Sequence, residues 1–440
     1  MKVLTAVLEN VKRRDAGELT RSVLDALVGE RPLKQVRVKL WDGSCWPDAE
    51  PRRATLRLNH PGALRAMLSA GTEVALAEAY LRDDFDVEGD LEAAFELADV
   101  ISAQTGGWTR KLKVSAWLRQ LPEPPGDSGD PDAATPHRAA LNGRRHTPSR
   151  DREAIHFHYD LSNAFYALWL DSRRVYSCAC FKNRCDDLES AQRRKLEMIC
   201  RKLDLRPGQR LLDVGCGWGG LVIHAARDYG VTATGITLSA RQADHARQQV
   251  RELGLEDRVE IRLEDYREHS PPQPYDAIAS VGMVEHVGRR NLPLYFQQAF
   301  ALLQPGGLFL NHGIGTGIAA FANRGTRSFI NEYVFPDGEL VSIAEMLHPA
   351  ETSGFSVRDV ENLREHYALT LRHWVRRLEQ HHDEALHWVE EPVYRIWRLY
   401  MAGCAHSFAC HQLAIYQSLL EKPTASGRSP HPLTRDGWYC

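Results

Sequence analysis

Residues 211–220 read LLDVGCGWGG, an apolar run that ends in an acid and passes into four glycines within six positions. Gly215 and Gly217 permit a tight turn and let a ligand come against the backbone, while Gly219 and Gly220 let the next helix pack close to the strand. A dinucleotide turn needs G-x-G-x-x-G and an acid about 20 residues on for the ribose. Here the spacing is G-x-G-x-G-G with Asp213 before the first glycine, and the next strand ends in GITLSARQ with no acid at its tip. The pyrophosphate-binding reading is therefore disfavoured. Further on, LEDY supplies Glu264 and Asp265, YDAIASVGMVEHVG brings Glu285, and GGLFLNHG brings His312. Acids and histidines at the ends of apolar strands can move or hold protons. Taken singly they have plainer readings: Glu285–His286 as a surface or core-satisfying pair, His312 as a strand cap, and Tyr367 with Trp374 at helical spacing as core.

The elements that must position these groups alternate. QRLLDVG, VTATGIT, RVEIRLED, YDAIASVG and GGLFLNHG are strand candidates, and GGLVIHAARDYG, SARQADHARQQVREL and NLPLYFQQAFALLQ are helices between them. Short apolar strands alternating with helices predict a parallel, doubly wound sheet, whose ligand site lies beyond the C-terminal strand ends. Upstream, RVKLWDG and ATLRLNH alternate as half-buried strands, with helical HPGALRAMLSAG, VALAEAYLRDDF and DLEAAFELADVISA among them. Then comes WTRKLKVSAWLRQL, in which Trp108 and Trp117 stand among Arg110, Lys111, Lys113 and Arg119. It reads either as a basic helix lying on an anionic membrane or as an ordinary surface helix packed by its apolar face. Residues 121–150, rich in proline, glycine and mixed charge, read as a flexible linker between an N-terminal domain, 1–120, and a catalytic domain, 151–440.

Composition narrows the partners. The chain has 440 residues, 43% hydrophobic and 26% charged, with a net charge of −3, which fits a soluble globular protein and gives no reason to expect nucleic acid. No apolar run reaches bilayer-spanning length, and Glu9 interrupts the short apolar start, so a cytoplasmic protein with at most peripheral membrane contact is expected. The nine cysteines are odd in number and scattered, with no C-x-x-C pair. The cluster CACFKNRC, with HFH upstream, matches no zinc spacing, so reduced thiols and no metal are expected.

The glycine turn with Asp213 resembles motif I of S-adenosylmethionine-dependent methyltransferases, and Glu264 and Asp265 match the acids expected near the adenine after the third strand. That resemblance implies an α/β class I methyltransferase fold, a doubly wound sheet with a smaller N-terminal α+β domain. HYDLSNAFYALWLDSRRVYSCACF, LESAQRRKLEMIC, GITLSARQ, SVGMVEHVG, NHGIG, FPDGEL and REHYALTLRHW together resemble the cyclopropane-fatty-acyl-phospholipid synthase family, related to the mycolic acid methyltransferases, over about residues 150–420. The resemblance implies transfer from S-adenosylmethionine to a cis double bond of a phospholipid acyl chain, proton removal by a bound bicarbonate, and ring closure to cyclopropane. It further implies peripheral contact with membrane phospholipids at the inner face of the cytoplasmic membrane, and a homodimer.

Carried over residue by residue, the resemblance assigns Glu285, His312, the Ile314 amide, Tyr367 and Cys178, the last through its backbone, to the bicarbonate site. Cys404 of AGCAHSF matches a cysteine long labelled catalytic in the family. Methyl transfer to an alkene needs no thiolate, so it is expected to be structural. The cofactor would meet Tyr176, Ser177, Asp213, Gly215, Cys216, Gly217, Thr237, Leu238 and Gln242. Three positions depart from the family pattern: Val284 for phenylalanine, Gly313 for threonine or serine, and Ala164 for an acid. The first two lie beside the expected base and leave open a methylene- or methyl-branched product. A lipid-binding scaffold without catalysis and a small-molecule methyltransferase are the remaining alternatives. Intact Asp213, Gly215, Gly217, Glu285, His312 and Tyr367 argue against the scaffold.

Overall fold

The computed structural model describes residues 15–29, 33–102, 108–125, 137–139, 141–159, 161–317 and 328–439. Two compact units emerge, one of residues 1–138 with 327–329 and 395–399, the other of 139–326, 330–394 and 400–440. The first carries a four-stranded sheet in the order β2-β1-β3-β4, made of β1 (Val36–Lys39), β2 (Cys45–Trp46), β3 (Ala54–Leu58) and β4 (Phe85–Gly89). Its helices begin where a side chain satisfies a free backbone donor: Asp15 accepts from Gly17 N at 3.1 Å and Thr72 from Ala75 N at 3.2 Å. Leu19, Val23 and Leu24 of the helix Ala16–Val28 and Val36, Val38, Leu56 and Leu58 of the sheet are buried. In WTRKLKVSAWLRQL the helix runs Trp108–Leu118. Val114 and Leu118 are buried, Lys111, Leu112 and Lys113 are exposed, and the Lys113 ammonium lies 4.6 Å from the Trp117 ring centre.

The larger unit is built on a seven-stranded sheet. It comprises β5 (Arg210–Val214), β6 (Thr232–Thr237), β7 (Val259–Leu263), β8 (Tyr275–Val281), β9 (Leu303–Thr316), β10 (Ser356–Asn362) and β11 (Leu413–Glu421). Their order is β10-β11-β9-β8-β5-β6-β7, with β5 to β9 mutually parallel. The expectation of a parallel sheet is corrected at one place: β11 runs antiparallel between β9 and β10. Apolar periodicity marks a strand but not its direction. The central strands are apolar on both faces, Leu211, Leu212, Ala277, Ile278, Phe309 and Leu310 being nearly inaccessible, because helices cover both sides. The helix Gly220–Tyr229 starts from Gly219 in the left-handed region (φ 87°), where a Cβ would stand 3.0 Å from Ala246 Cβ. No helix among the described residues is long and apolar enough to cross a membrane.

Candidate functional site

The strand order reverses at β5, and a cavity opens there beyond the C-terminal strand ends, as the doubly wound topology requires. All the sequence-assigned cofactor residues except Asp265 line it: Tyr176, Ser177, Asp213, Gly215, Cys216, Gly217, Thr237, Leu238, Gln242 and Glu264. Gly215 (φ 82°) and Gly217 (φ 54°) both take the left-handed conformation, and among the described residues, chain neighbours aside, no atom stands within 4 Å of where a Gly217 Cβ would be. Thr237 Oγ1 donates to Gln242 Oε1 at 2.9 Å, which fixes that side chain at the rim of β6. Asp265 turns away and pairs with Arg267 at 2.6 Å, which also reaches Asp151 at 2.9 Å. A guanidinium two residues on is a stronger partner for a buried carboxylate than a neutral ring would be.

The cavity also contains groups that the sequence reading did not single out. Lys195, on the helix Leu188–Lys202, donates to Ser177 Oγ at 2.9 Å, and burial pushes its ammonium down to about 8. Burial pushes the Asp213 carboxyl up to about 7, against the pull of Lys195. A lysine in an amphipathic helix carries no local sign of this role. Tyr159 and Trp218 face the same cavity, their rings 6.3 Å apart, and Trp218 Nε1 donates to Asn163 Oδ1 at 2.8 Å. A positive charge and an acid flanking one floor, with aromatic faces above it, suit a ligand with a zwitterionic end and a cationic centre.

Beside this cavity the chain turns after β8 into the short helix Val284–Val287. Glu285 is buried, and Oε1 accepts the Ile314 N–H at 2.6 Å. The sequence reading gave that N–H to a bound anion; here the nearer carboxylate takes it, one N–H serving one strong bond. Burial pushes Glu285 up to about 7. Its other oxygen, Oε2, is buried and lacks a hydrogen-bond partner among the described residues, and the same holds for His312 Nε2. Burial, with Lys195 and Lys202 behind it, drives His312 well below its ordinary value, so its ring is neutral. Tyr367, on the helix Arg364–Gln380, is buried, and its hydroxyl is raised first by that burial and then by Cys178, Glu285, Cys404 and Tyr159. Cys178 and Cys404 are both buried cysteines outside any disulfide; the Cys178 thiol donates to the Ala179 carbonyl at 3.3 Å. Around them stand Tyr176 and Trp374 (5.3 Å between centres), Tyr367 and Phe408 (4.8 Å), and Phe335 and Tyr400 (5.7 Å).

One further contact joins two of the three departures noted in the sequence, Val284 and Gly313. A Cβ at Gly313 would overlap Val284 Cγ1. The valine therefore occupies the place a larger residue at 313 would claim, between His312 and Ile314 and directly before Glu285.

With that geometry in place, similarity to known proteins becomes informative. The family described as mycolic acid cyclopropane synthetase matches residues 146–418. A probable fatty acid methyltransferase of Pseudomonas putida is 39% identical over 92% of this chain and 96% of its own length. The cyclopropane-fatty-acyl-phospholipid synthase of Escherichia coli strain K12 is 38% identical over 61% of this chain and 68% of its own. Among solved structures, mycolic acid cyclopropane synthase CmaA1 complexed with SAH and CTAB superposes with a TM-score of 0.58 at 34% identity, covering 62% of this chain and 98% of that one.

Proposed function

The chain belongs to the mycolic acid cyclopropane synthetase family of S-adenosylmethionine-dependent methyltransferases, and from that premise we propose that it adds a methylene group across the cis double bond of unsaturated phospholipid acyl chains. One observation carries the reading: Glu285 Oε2 and His312 Nε2 are two buried polar atoms lacking a partner among the described residues, and Met283, His286 and Val287 around Glu285 line the cofactor cavity. Such a pair is costly unless something polar is held there.

When bound, S-adenosylmethionine supplies an electrophilic methyl group. Asp213, Lys195, Gln242 and the main chain at Gly215–Gly217 would hold it. An alkene is a weak nucleophile, so alignment and exclusion of water matter most. The faces of Tyr176, Tyr367 and Trp374 favour the positive charge that develops on the acyl chain. Glu285, His312, Tyr367 and Cys178 fit a small bound oxyanion such as bicarbonate, which would supply a base in a dry site. Loss of a proton from the new methyl group in that dry site would let the ring close.

A second reading is favoured by the contact of Val284 with the backbone at Gly313. A different packing next to Glu285 changes how soon the new methyl group is deprotonated: a 1,2-hydride shift that first moves the cation onto the methyl-bearing carbon, followed by loss of a proton from that methyl group, gives a methylene branch instead of a ring. A saturated methyl branch would need a hydride donor in addition. The relative from Pseudomonas putida is a probable fatty acid methyltransferase, which is compatible with this second product. Peripheral membrane docking, an inner-face location and a homodimer belong to the same proposal.

The test is incubation of the purified chain with methyl-labelled cofactor and unsaturated phospholipid vesicles, followed by mass spectrometry and proton NMR of the acyl chains. Cyclopropyl protons with label support the first reading and vinylidene protons the second. Unlabelled acyl chains, with cofactor bound, would leave a lipid-binding scaffold.

A further inference from the structure

Behind His312 a polar row, buried except at the partly exposed Glu361, crosses three strands. The register sets Glu361 of β10 opposite Gln417 of β11, and Gln417 opposite His312 of β9. Directly opposed residues project from the same face. The helix Leu188–Lys202 drops its last residue into this row. The Lys202 side chain has no exposed surface, and its ammonium donates to Glu361 Oε2 and, at 2.9 Å, to Gln417 Oε1. Asp359 lies 3.9 Å away and the Trp438 ring centre 5.6 Å away. Gln417 Nε2 meets His312 Nδ1 at 3.2 Å.

Chemistry fixes the direction of each bond. An ammonium offers donors only, so the Gln417 atom facing it must be the oxygen. The amide nitrogen then faces His312, and it has no lone pair to give. Nδ1 must accept and carries no proton. The ring is neutral in this buried setting, so its one proton sits on Nε2. That is the atom left without a partner among the described residues.

We propose that Lys202 and Gln417 are positioning residues that lock His312 as the Nε2–H tautomer, so that it presents a donor at its buried, unpartnered nitrogen and cannot itself act as the base. The proposal rests on the reading of His312 as part of the site. It assigns His312 to holding an oxygen of the bound oxyanion, and it explains a buried lysine at the opposite side of β11 from the chemistry.

The tautomer can be read directly in the full-length protein labelled with 15N-histidine, with the His312 signals assigned by their loss in His312→Gln. The wild type should show a protonated Nε2 and a bare Nδ1. Gln417→Glu keeps the size but puts an acceptor opposite Nδ1. The proton should then move to Nδ1, and turnover should fall about tenfold or more with cofactor affinity unchanged. Lys202→Met frees the amide to turn, so both tautomers should appear. A wild-type ring protonated on Nδ1 overturns the lock without recourse to any variant, as does a tautomer unmoved in both Gln417→Glu and Lys202→Met. A moved proton with wild-type turnover would instead remove His312 from the reaction and overturn the functional reading, so the two failures are distinct.

Discussion

At the residue scale, two buried carboxyls set how the protein responds to pH. Asp213 is pushed up to about 7 by burial, whereas a cationic ligand end favours its ionised form. Cofactor binding below about pH 7 should therefore release a proton, and affinity should fall as pH drops, by up to about tenfold per unit. Calorimetry at pH 6 in two buffers of different ionisation enthalpy measures the release; a buffer-independent heat would refute it. Glu285 is likewise raised to about 7. The folded state then holds more protons than the unfolded one between the ordinary carboxylate range and 7. Stability from this group is full at low pH and lost as pH rises through that window. Glu285→Gln, which imitates the protonated acid, should be more stable than wild type at pH 8 by up to about 3 kcal/mol and lose this advantage at pH 4. Urea unfolding at the two pH values decides. The same variant should keep cofactor affinity and lose turnover by about 10² or more; wild-type turnover would take Glu285 out of the mechanism.

The informative element is the edge where β8 and β9 end. Val281 pairs with His312, and Gly282 N donates to the His312 carbonyl at 2.8 Å, so the end of β8 that leads into Glu285 is tied to His312 of β9. Val284 fills the space beside Gly313, which couples the two positions. Gly313→Ser alone should destabilise the protein by about 1–3 kcal/mol through overpacking. Val284→Ala in the same chain should recover a large part of that loss, whereas additive losses in the double variant would show that the contact is not shared. Product analysis of Gly313→Ser/Val284→Ala also tests whether this packing governs the choice between ring closure and a methylene branch.

For the whole molecule, the proposed function raises the question of how an enzyme in which no described helix can span a bilayer would reach a double bond within one. The helix Trp108–Leu118 turns Val114 and Leu118 inward and Lys111 and Lys113 outward. Basic residues near an anionic surface contribute about 1 kcal/mol each. Neutralising Lys111 and Lys113 together should weaken binding to anionic vesicles about tenfold or more, with a smaller deficit at high salt. Sedimentation with vesicles at two salt concentrations measures this. Wild-type binding of the double variant at low salt would move the docking surface elsewhere.

Much of this design was legible along the chain. The glycine turn and Asp213 are local: a turn needing positive φ and a strand end needing an acid announce themselves within ten residues. The alternation of strands and helices likewise fixed the sheet class. Resemblance carried Glu285, His312 and Tyr367, whose local patterns alone are those of ordinary core residues. What no local pattern contained was pairing across distance. Asp265 looked like a ligand acid, but in the fold it pairs with Arg267, which also holds Asp151. The Ile314 amide looked available until Glu285 took it. The antiparallel course of β11 put Gln417 opposite His312, and the last residue of a distant helix put Lys202 against Gln417. Periodicity reports which face of an element is apolar; only the register between elements decides which polar atoms meet inside, and burial then sets their protonation.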